Sequence, residues 1–392
     1  MDNGHNMDRE EKLRAAARRN RRRRSFLGTF LAMMGCLVVM VGIMYGGVTL
    51  YSKLADQEKE PSEENQGSGE SQGTEDSGPH TDEDTVGAVS EKVVYSQEEL
   101  DARIAEAVLS AQGQVSTQIL EGIKAGLSQG DTVLETLRPF YPDDLLVASG
   151  GRYHFVPINR SLKQNQLDIA NVNILESGEY QYLVDGQVVS HKGIDVSKHQ
   201  GAIDWNLVAQ DGVEFAFIRV GFRGYGSEGK MVEDEYFVQN IEGALAAGIK
   251  VGVYFYSQAV TEAEVLEEAE FVIQRIQPYT IECPVVFDVE KVSGANGRMN
   301  DISVEERTAL TLLFCQTIEQ AGYKPMIYHN TEMGALMLDV AQLEAYDKWY
   351  ASYSDQIFYP YAYKIWQYSD KGTVQGISTN VDLNISFEPL WE

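Results

Sequence analysis

Apolar and polar positions alternate along this chain with two different periods, and the changes of period divide it. In SQEELDARIAEAVLSAQGQVSTQILEGIKAGL (96–127), Leu100, Ile104, Val108, Ala111, Val115, Ile119 and Ile123 recur at steps of three and four. That spacing places them on one face of a helix. Ser96 followed by Glu99 is a capping-box pattern that marks its start. Over 139–190 the pattern changes to short alternating runs broken by SGG, ESG and VDGQ, the mark of strands and hairpin turns in a small β module. From 193 onward apolar strands alternate with amphipathic helices. The strands are GIDVS (193–197), EFAFIRVG (214–221), KVGVYFYS (250–257), PVVFDVE (284–290) and KPMIYHN (324–330), and the helices fall at 234–248, 262–276 and 303–322. DKWYASYS (347–354), YKIWQYS (363–369) and TNVDLNISF (379–387) follow as further strands. Near-continuous apolar strands require cover on both faces. Regular strand–helix alternation implies parallel strands with crossover helices. The predicted fold is therefore α/β, closed as a (β/α) barrel of the TIM type over 191–392.

The N-terminal quarter has a different character. Residues 1–25 hold nine Lys or Arg against four acids, and 26–51, FLGTFLAMMGCLVVMVGIMYGGVTLY, carry no charge. Twenty-six uncharged residues suffice to cross about 30 Å of hydrocarbon. With arginines before and acids after, the segment reads as an uncleaved transmembrane signal anchor. The basic tail would lie in the cytoplasm and the rest outside, giving a single-pass protein of the cell membrane. Residues 52–91 are Gly-, Ser- and Gln-rich, and 55–91 alone hold twelve acids against one lysine. Such a segment buries too little surface to fold and reads as a disordered, self-repelling linker. Residues 92–138 then form a helical stalk, whose apolar stripe leaves self-association open. The whole chain has a net charge of −27. So acidic a body argues against a nucleic-acid partner. Of three cysteines, Cys36 lies in the expected span. Cys283 and Cys315 lie in the barrel, as buried thiols or as a pair.

Chemistry in such a barrel stands at the C-terminal ends of the strands. There the sequence supplies Asp195, Tyr254, Tyr256, Asp288, Glu290, Tyr328, Trp366, Gln367 and Asp382. Residues i and i+2 of a strand share a face, so Asp288 and Glu290 point the same way. Two close carboxylates among aromatic neighbours cannot ionise independently, and one is pushed toward the protonated form. A protonated acid beside a second carboxylate, with aromatic walls for sugar rings, fits glycoside hydrolysis. The same D-x-E pattern also occurs at metal sites and at plain solvated strand ends. The six histidines are scattered with no HExxH, and no metal ligand set is assigned. His199 follows the first strand, either reaching the mouth or packing beside it.

These segments, taken in order, resemble the family 25 glycoside hydrolases, the Chalaropsis-type lysozymes or N-acetylmuramidases. The resemblance rests on GIDVSKHQGAIDW (193–205), FAFIRVGF (215–222), AAGIKVGVYFYS (246–257), PVVFDVE (284–290), MIYHN (326–330), KWYASY (348–353), IWQYSDKGTVQGI (365–377) and VDLN (381–384). It covers about half of the chain and nearly all of the barrel. It implies a cofactor-free enzyme cleaving the β-1,4 bond between N-acetylmuramic acid and N-acetylglucosamine in peptidoglycan. Glu290 falls on the general acid, Asp288 on its partner, and Asp195 and Asp382 on the other two acidic positions. Tyr256, Tyr328 and Trp366 match aromatic positions lining its groove, and Tyr254, Gln367 and Arg219 stand beside them as further candidate substrate-binding residues. Two readings from other classes stand beside it. One is a wall-binding module without turnover that anchors an envelope complex. In the other, the stalk and β module recruit partners and the barrel only opens the wall locally.

Overall fold

The computed structural model describes residues 96–292 and 297–391. The expected basic tail, membrane span and acidic linker lie outside the described residues. Among the described residues, no helix is long and apolar enough to cross a membrane.

Helix α1 (Gln97–Gln129) starts on the Ser96–Glu99 capping box and stops at Gly130, whose φ of 84° only glycine adopts without strain. A short helix α2 (Val133–Leu137) folds back on its end. Two small sheets follow. The hairpin β1 (Asp144–Ser149) and β2 (Arg152–Pro157) turns through Gly150 and Gly151, both at positive φ. Strands β3 (Val172–Ile174), β4 (Tyr180–Val184) and β5 (Gln187–Val188) form an antiparallel meander. Its Tyr180 stacks on Tyr368 at 4.3 Å and meets Trp366 edge-on, fastening the meander to the outside of the barrel.

The barrel starts at β6 (His191–Val196). It continues through helix α3 (Trp205–Gln210), β7 (Phe215–Arg223), β8 (Met231–Glu233), α4 (Phe237–Ala246), β9 (Lys250–Tyr256), α5 (Glu262–Ile276), β10 (Val285–Asp288) and α6 (Val304–Gln320). Strands β11 (Pro325–Asn330), β12 (Asp347–Ala351), β13 (Ile365–Gly372) and β14 (Val381–Ser386) complete it. Strand β6 pairs with both β7 and β14, so the eight strands β6, β7 and β9–β14 close on themselves, with β8 attached to β7 as an outer hairpin. The closure refines the expected regular alternation in two ways. Helices cross over only as far as β11: a single π-helical turn at Met333–Met337 precedes β12, and none separates β12, β13 and β14. Strand β14 also runs antiparallel to both neighbours. Short connections such as 373–380 leave no room for the dozen or more residues that a parallel crossover needs.

Alternation along each strand builds two cores. Outward residues such as Ala216, Ile218, Val285, Phe287 and Ile327 pack with helix residues in one cluster, where Phe287 stacks on Phe314 of α6 at 4.4 Å. Inward residues Phe215, Phe217, Val286, Met326, Trp349 and Ile365 fill the barrel. Glycine makes room for them: a Cβ at Gly193 would lie 2.1 Å from the Phe215 ring, and one at Gly252 would lie 2.4 Å from that of Phe217. Cys283 and Cys315 are free, buried thiols, one in the inner cluster and one in the outer.

Candidate functional site

The inward columns that are apolar at the bottom of the barrel become polar at the top. Phe215 and Phe217 lead to Arg219, Val286 leads to Asp288, and Met326 to Tyr328. Asp288 lies level with Tyr256 on one side and Tyr328 on the other, and Arg219 lies level with Tyr254. Asp382 stands at the start of β14 rather than at the end of a strand. Because β14 is reversed, its first residues reach the same mouth, directly across from Asp195.

These side chains surround a cavity of about 550 Å³. It is lined by all four expected acids and by five of the six expected binding residues, Arg219, Tyr254, Tyr256, Tyr328 and Gln367. Trp366 is the correction. It is adjacent to the inward Gln367, so the pleat turns its indole outward, where it is buried against Tyr180 and donates Nε1–H to the Ser352 carbonyl at 2.8 Å. Trp349 fills the inward role one strand earlier. Its ring lies 4.8 Å from that of Tyr328 and stacks on Phe217 at 4.7 Å. His199 does reach the mouth.

One hydrogen-bond network organises the floor. Asp195 Oδ2 accepts from Gln367 Nε2 at 2.8 Å and Asn384 Nδ2 at 2.9 Å. Gln367 Oε1 accepts in turn from Tyr328 and Tyr353, and Asn384 Oδ1 from Trp349 Nε1 at 2.8 Å. Both amides are thereby fixed with their N–H groups toward Asp195. Arg219 is held by Asp234, Nε to Oδ2 at 2.8 Å. Asp288 Oδ1 is buried with no hydrogen-bond donor among the described residues.

Four acids in one desolvated space cannot all ionise near neutrality. Burial pushes Asp195 up to about 6, against the pull of its two amide donors. Burial, and then the charge of Asp195, push Glu290 up to about 7. Burial raises Asp382 to about 8, helped by Asp195, Asp370 and Glu290. Asp288 is raised by burial, then by Glu290 and Asp195, with Arg219 opposing. The site can thus present a protonated acid beside further carboxyl groups near pH 7, the requirement for protonating a leaving oxygen.

Two supports hold the rim. Arg223 on β7 donates to Glu268 Oε1 and to the Gly229 carbonyl, each at 2.7 Å, which braces the β7–β8 hairpin that carries Tyr225. Tyr225 meets Tyr256 hydroxyl to hydroxyl at 3.4 Å. On the opposite support, Lys291, the residue after Glu290, binds Glu332 Oε1 at 2.6 Å, and the same oxygen accepts from Ser149 Oγ at the tip of the β1–β2 hairpin. The small β module therefore touches the loop that bears Glu290. Sequence reasoning missed Trp349, Tyr225, Tyr353 and Asn384. The D-L-N of β14 carried a signal for Asn384, since i+2 shares the face of Asp382. Tyr225 sits in a Gly-rich loop and gave none.

The profile of the glycosyl hydrolases family 25 matches residues 194–377. An autolytic lysozyme of Clostridium acetobutylicum is 28% identical over 194 residues, 49% of this chain and 55% of its own length, so the chain spans about half of that relative. The uncharacterised YegX protein of Escherichia coli K12 is 30% identical over 204 residues, 49% of this chain and 68% of its own. A solved family 25 glycosyl hydrolase of Bacillus anthracis is 26% identical with a TM-score of 0.42, covering 53% of this chain and 93% of that one. By the profile match and the extent of the likeness to YegX, this chain belongs to the glycosyl hydrolases family 25.

Proposed function

We propose that the chain is a membrane-anchored N-acetylmuramidase that cleaves the β-1,4 bond between N-acetylmuramic acid and N-acetylglucosamine in peptidoglycan outside the cell. The observation that carries this reading is the placement of Asp288 and Glu290 in an aromatic-lined acidic cavity, with Glu290 lifted to about 7. Glu290 protonates the glycosidic oxygen as the bond to C1 breaks, and the resulting carboxylate later takes a proton from the attacking water. Asp288 assists a neighbouring group. The 2-acetamido oxygen of the muramyl residue attacks C1 while the acetamido N–H donates to Asp288 Oδ1, the buried acceptor with no donor of its own. That N–H, and the positive charge developing on the acetamido group, favour ionised Asp288 in the complex. Asp195, fixed by Gln367 and Asn384, and Asp382 beside it shape the field around the pair. Tyr256, Tyr328 and Trp349 supply faces for sugar C–H groups. Net retention follows, so the first-formed product is the β anomer. An α product seen by NMR at early times excludes this route.

The uncharged segment 26–51 anchors the chain, and the acidic segment after it sets how far the barrel reaches into the wall. The deciding experiment digests purified peptidoglycan with the wild type and with Glu290→Gln, and identifies new reducing ends by mass spectrometry after borohydride reduction. Muramitol ends that vanish in the variant are expected. Wall binding without new ends from either protein would instead mark a binding module.

A further inference from the structure

Helix α1 has 33 residues and not one of them is buried. Leu100, Ile104, Val108, Val115 and Ile119 are between 37% and 53% exposed. With Ala111 they follow steps of four, four and three, and the same steps lead on to Gly122 and Gly126. There the stripe is a packing face. The Phe140 ring sits over Gly122, where a Cβ would lie 2.8 Å from it, and Thr136 sits over Gly126 in the same way, at 2.9 Å. One continuous stripe is thus covered by its own chain for its last turns and, among the described residues, uncovered for the preceding ~29 Å, at 1.5 Å per residue from Leu100 to Ile119.

We propose that a second copy of this chain covers it, with two α1 helices paired parallel and in register along Leu100, Ile104, Val108, Ala111, Val115 and Ile119. Three features select this occupant. The preceding segment of this chain, 55–91, holds twelve acids and almost nothing apolar, so it cannot fill the stripe. Residues 107–120 carry no charge at all in a chain of net −27, so the stripe is where two such bodies approach without repulsion. The repeat is also self-matching. Leu100, Ala111 and Gly122 are eleven apart, as are Ile104, Val115 and Gly126, and an eleven-residue repeat keeps a seam facing its partner along a nearly straight or slightly right-handed pair. The parallel sense rests on the membrane-anchored reading, which gives every copy the same polarity and confines the copies to one surface. The pair separates where Phe140 and Thr136 take over the stripe, leaving each barrel its own mouth.

The test uses the full chain in membranes with Cys36→Ala, so that Cys283 and Cys315, both buried, are the only other thiols. Single replacements Leu100→Cys, Ile119→Cys and Leu109→Cys are oxidised mildly and resolved on non-reducing gels. Parallel pairing predicts disulfide dimers from Leu100→Cys and from Ile119→Cys, severalfold above Leu109→Cys on the opposite face, and their loss when Val108→Glu and Val115→Glu are added. Dimers only when the Leu100→Cys and Ile119→Cys chains are mixed would overturn the parallel sense. Equal yields at all three positions, or none, would overturn the pairing itself. Sedimentation of the chain with membranes is scored separately: a chain that stays in the supernatant refutes the anchor, and the same cross-links in that fraction still decide the pairing.

Discussion

Replacing Glu290 by Gln should abolish turnover and make the protein more stable, by an amount that grows with pH. An unfolded glutamate titrates near 4.5, whereas in the folded barrel burial and Asp195 lift Glu290 to about 7. The folded state therefore holds this proton more tightly than the unfolded chain does. Below 4.5 both states are protonated and Glu290 costs nothing. As pH rises through 4.5 the unfolded chain ionises first and folding begins to lose stability, and above about 7 the penalty is complete. At about 1.4 kcal/mol per pH unit, the lift from 4.5 to about 7 amounts to roughly 3 kcal/mol. Glutamine keeps the shape and removes the charge, and it also relieves Asp288, which Glu290 raises further. For a domain of this size each kcal/mol moves the melting temperature by about 2–4 °C. Scanning calorimetry of the two proteins at about pH 4, 6 and 8 should show a difference near zero, then a partial gain, then a gain of several degrees for the variant. A gain independent of pH, or a loss at the highest pH, would refute the account of Glu290 as a carboxyl held protonated at a stability cost.

Other consequences are checked more simply. Asn384→Ala leaves Asp195 with one amide donor and Trp349 Nε1–H without its acceptor, so unfolding in urea should come earlier by about 1–3 kcal/mol. In the same variant Asp195 should titrate higher, moving the acid limb of the pH–rate profile upward. Lys291→Met cuts the tie between the Glu290 loop, Glu332 and the Ser149 hairpin; kcat on peptidoglycan should fall by roughly tenfold or less with KM little changed, as expected for a mispositioned acid. Gly252→Ala forces a methyl to within 2.4 Å of the Phe217 ring and 2.8 Å of the Pro284 carbonyl, and should cost about 1–3 kcal/mol in a denaturant titration.

Much of this was legible in the residues because period and chemistry agreed. The apolar runs that end in Asp195 and in Asp288 with Glu290 announced both a barrel and its mouth. What escaped notice depended on facts that local pattern does not carry. Trp366 and Trp349 sit in similar aromatic strands, and the phase of the pleat, set by pairing with distant strands, decides which indole faces the cavity. The reversal of β14 is a property of closure: VDLNIS alternates with a period of two, and that period is the same whichever way the strand runs along the barrel axis. Tyr225 reaches the rim because the ion pair of Arg223 with Glu268, 45 residues on, braces its hairpin. No local window contains both partners.

The reversed last strand also has a consequence for biosynthesis. Asp195 and Asp382 face each other across the seam between the first and last strands of the barrel, and their partner Asn384 is on the last strand as well. A growing chain that has not yet delivered residues 381–386 has two open sheet edges, β6 and β13, and a mouth missing one of its acids. The acidic mouth is thus completed in one step, when β14 closes the barrel. A chain cut short of residue 381 should therefore be inactive, because barrel closure and the fourth acid of the mouth are lost together.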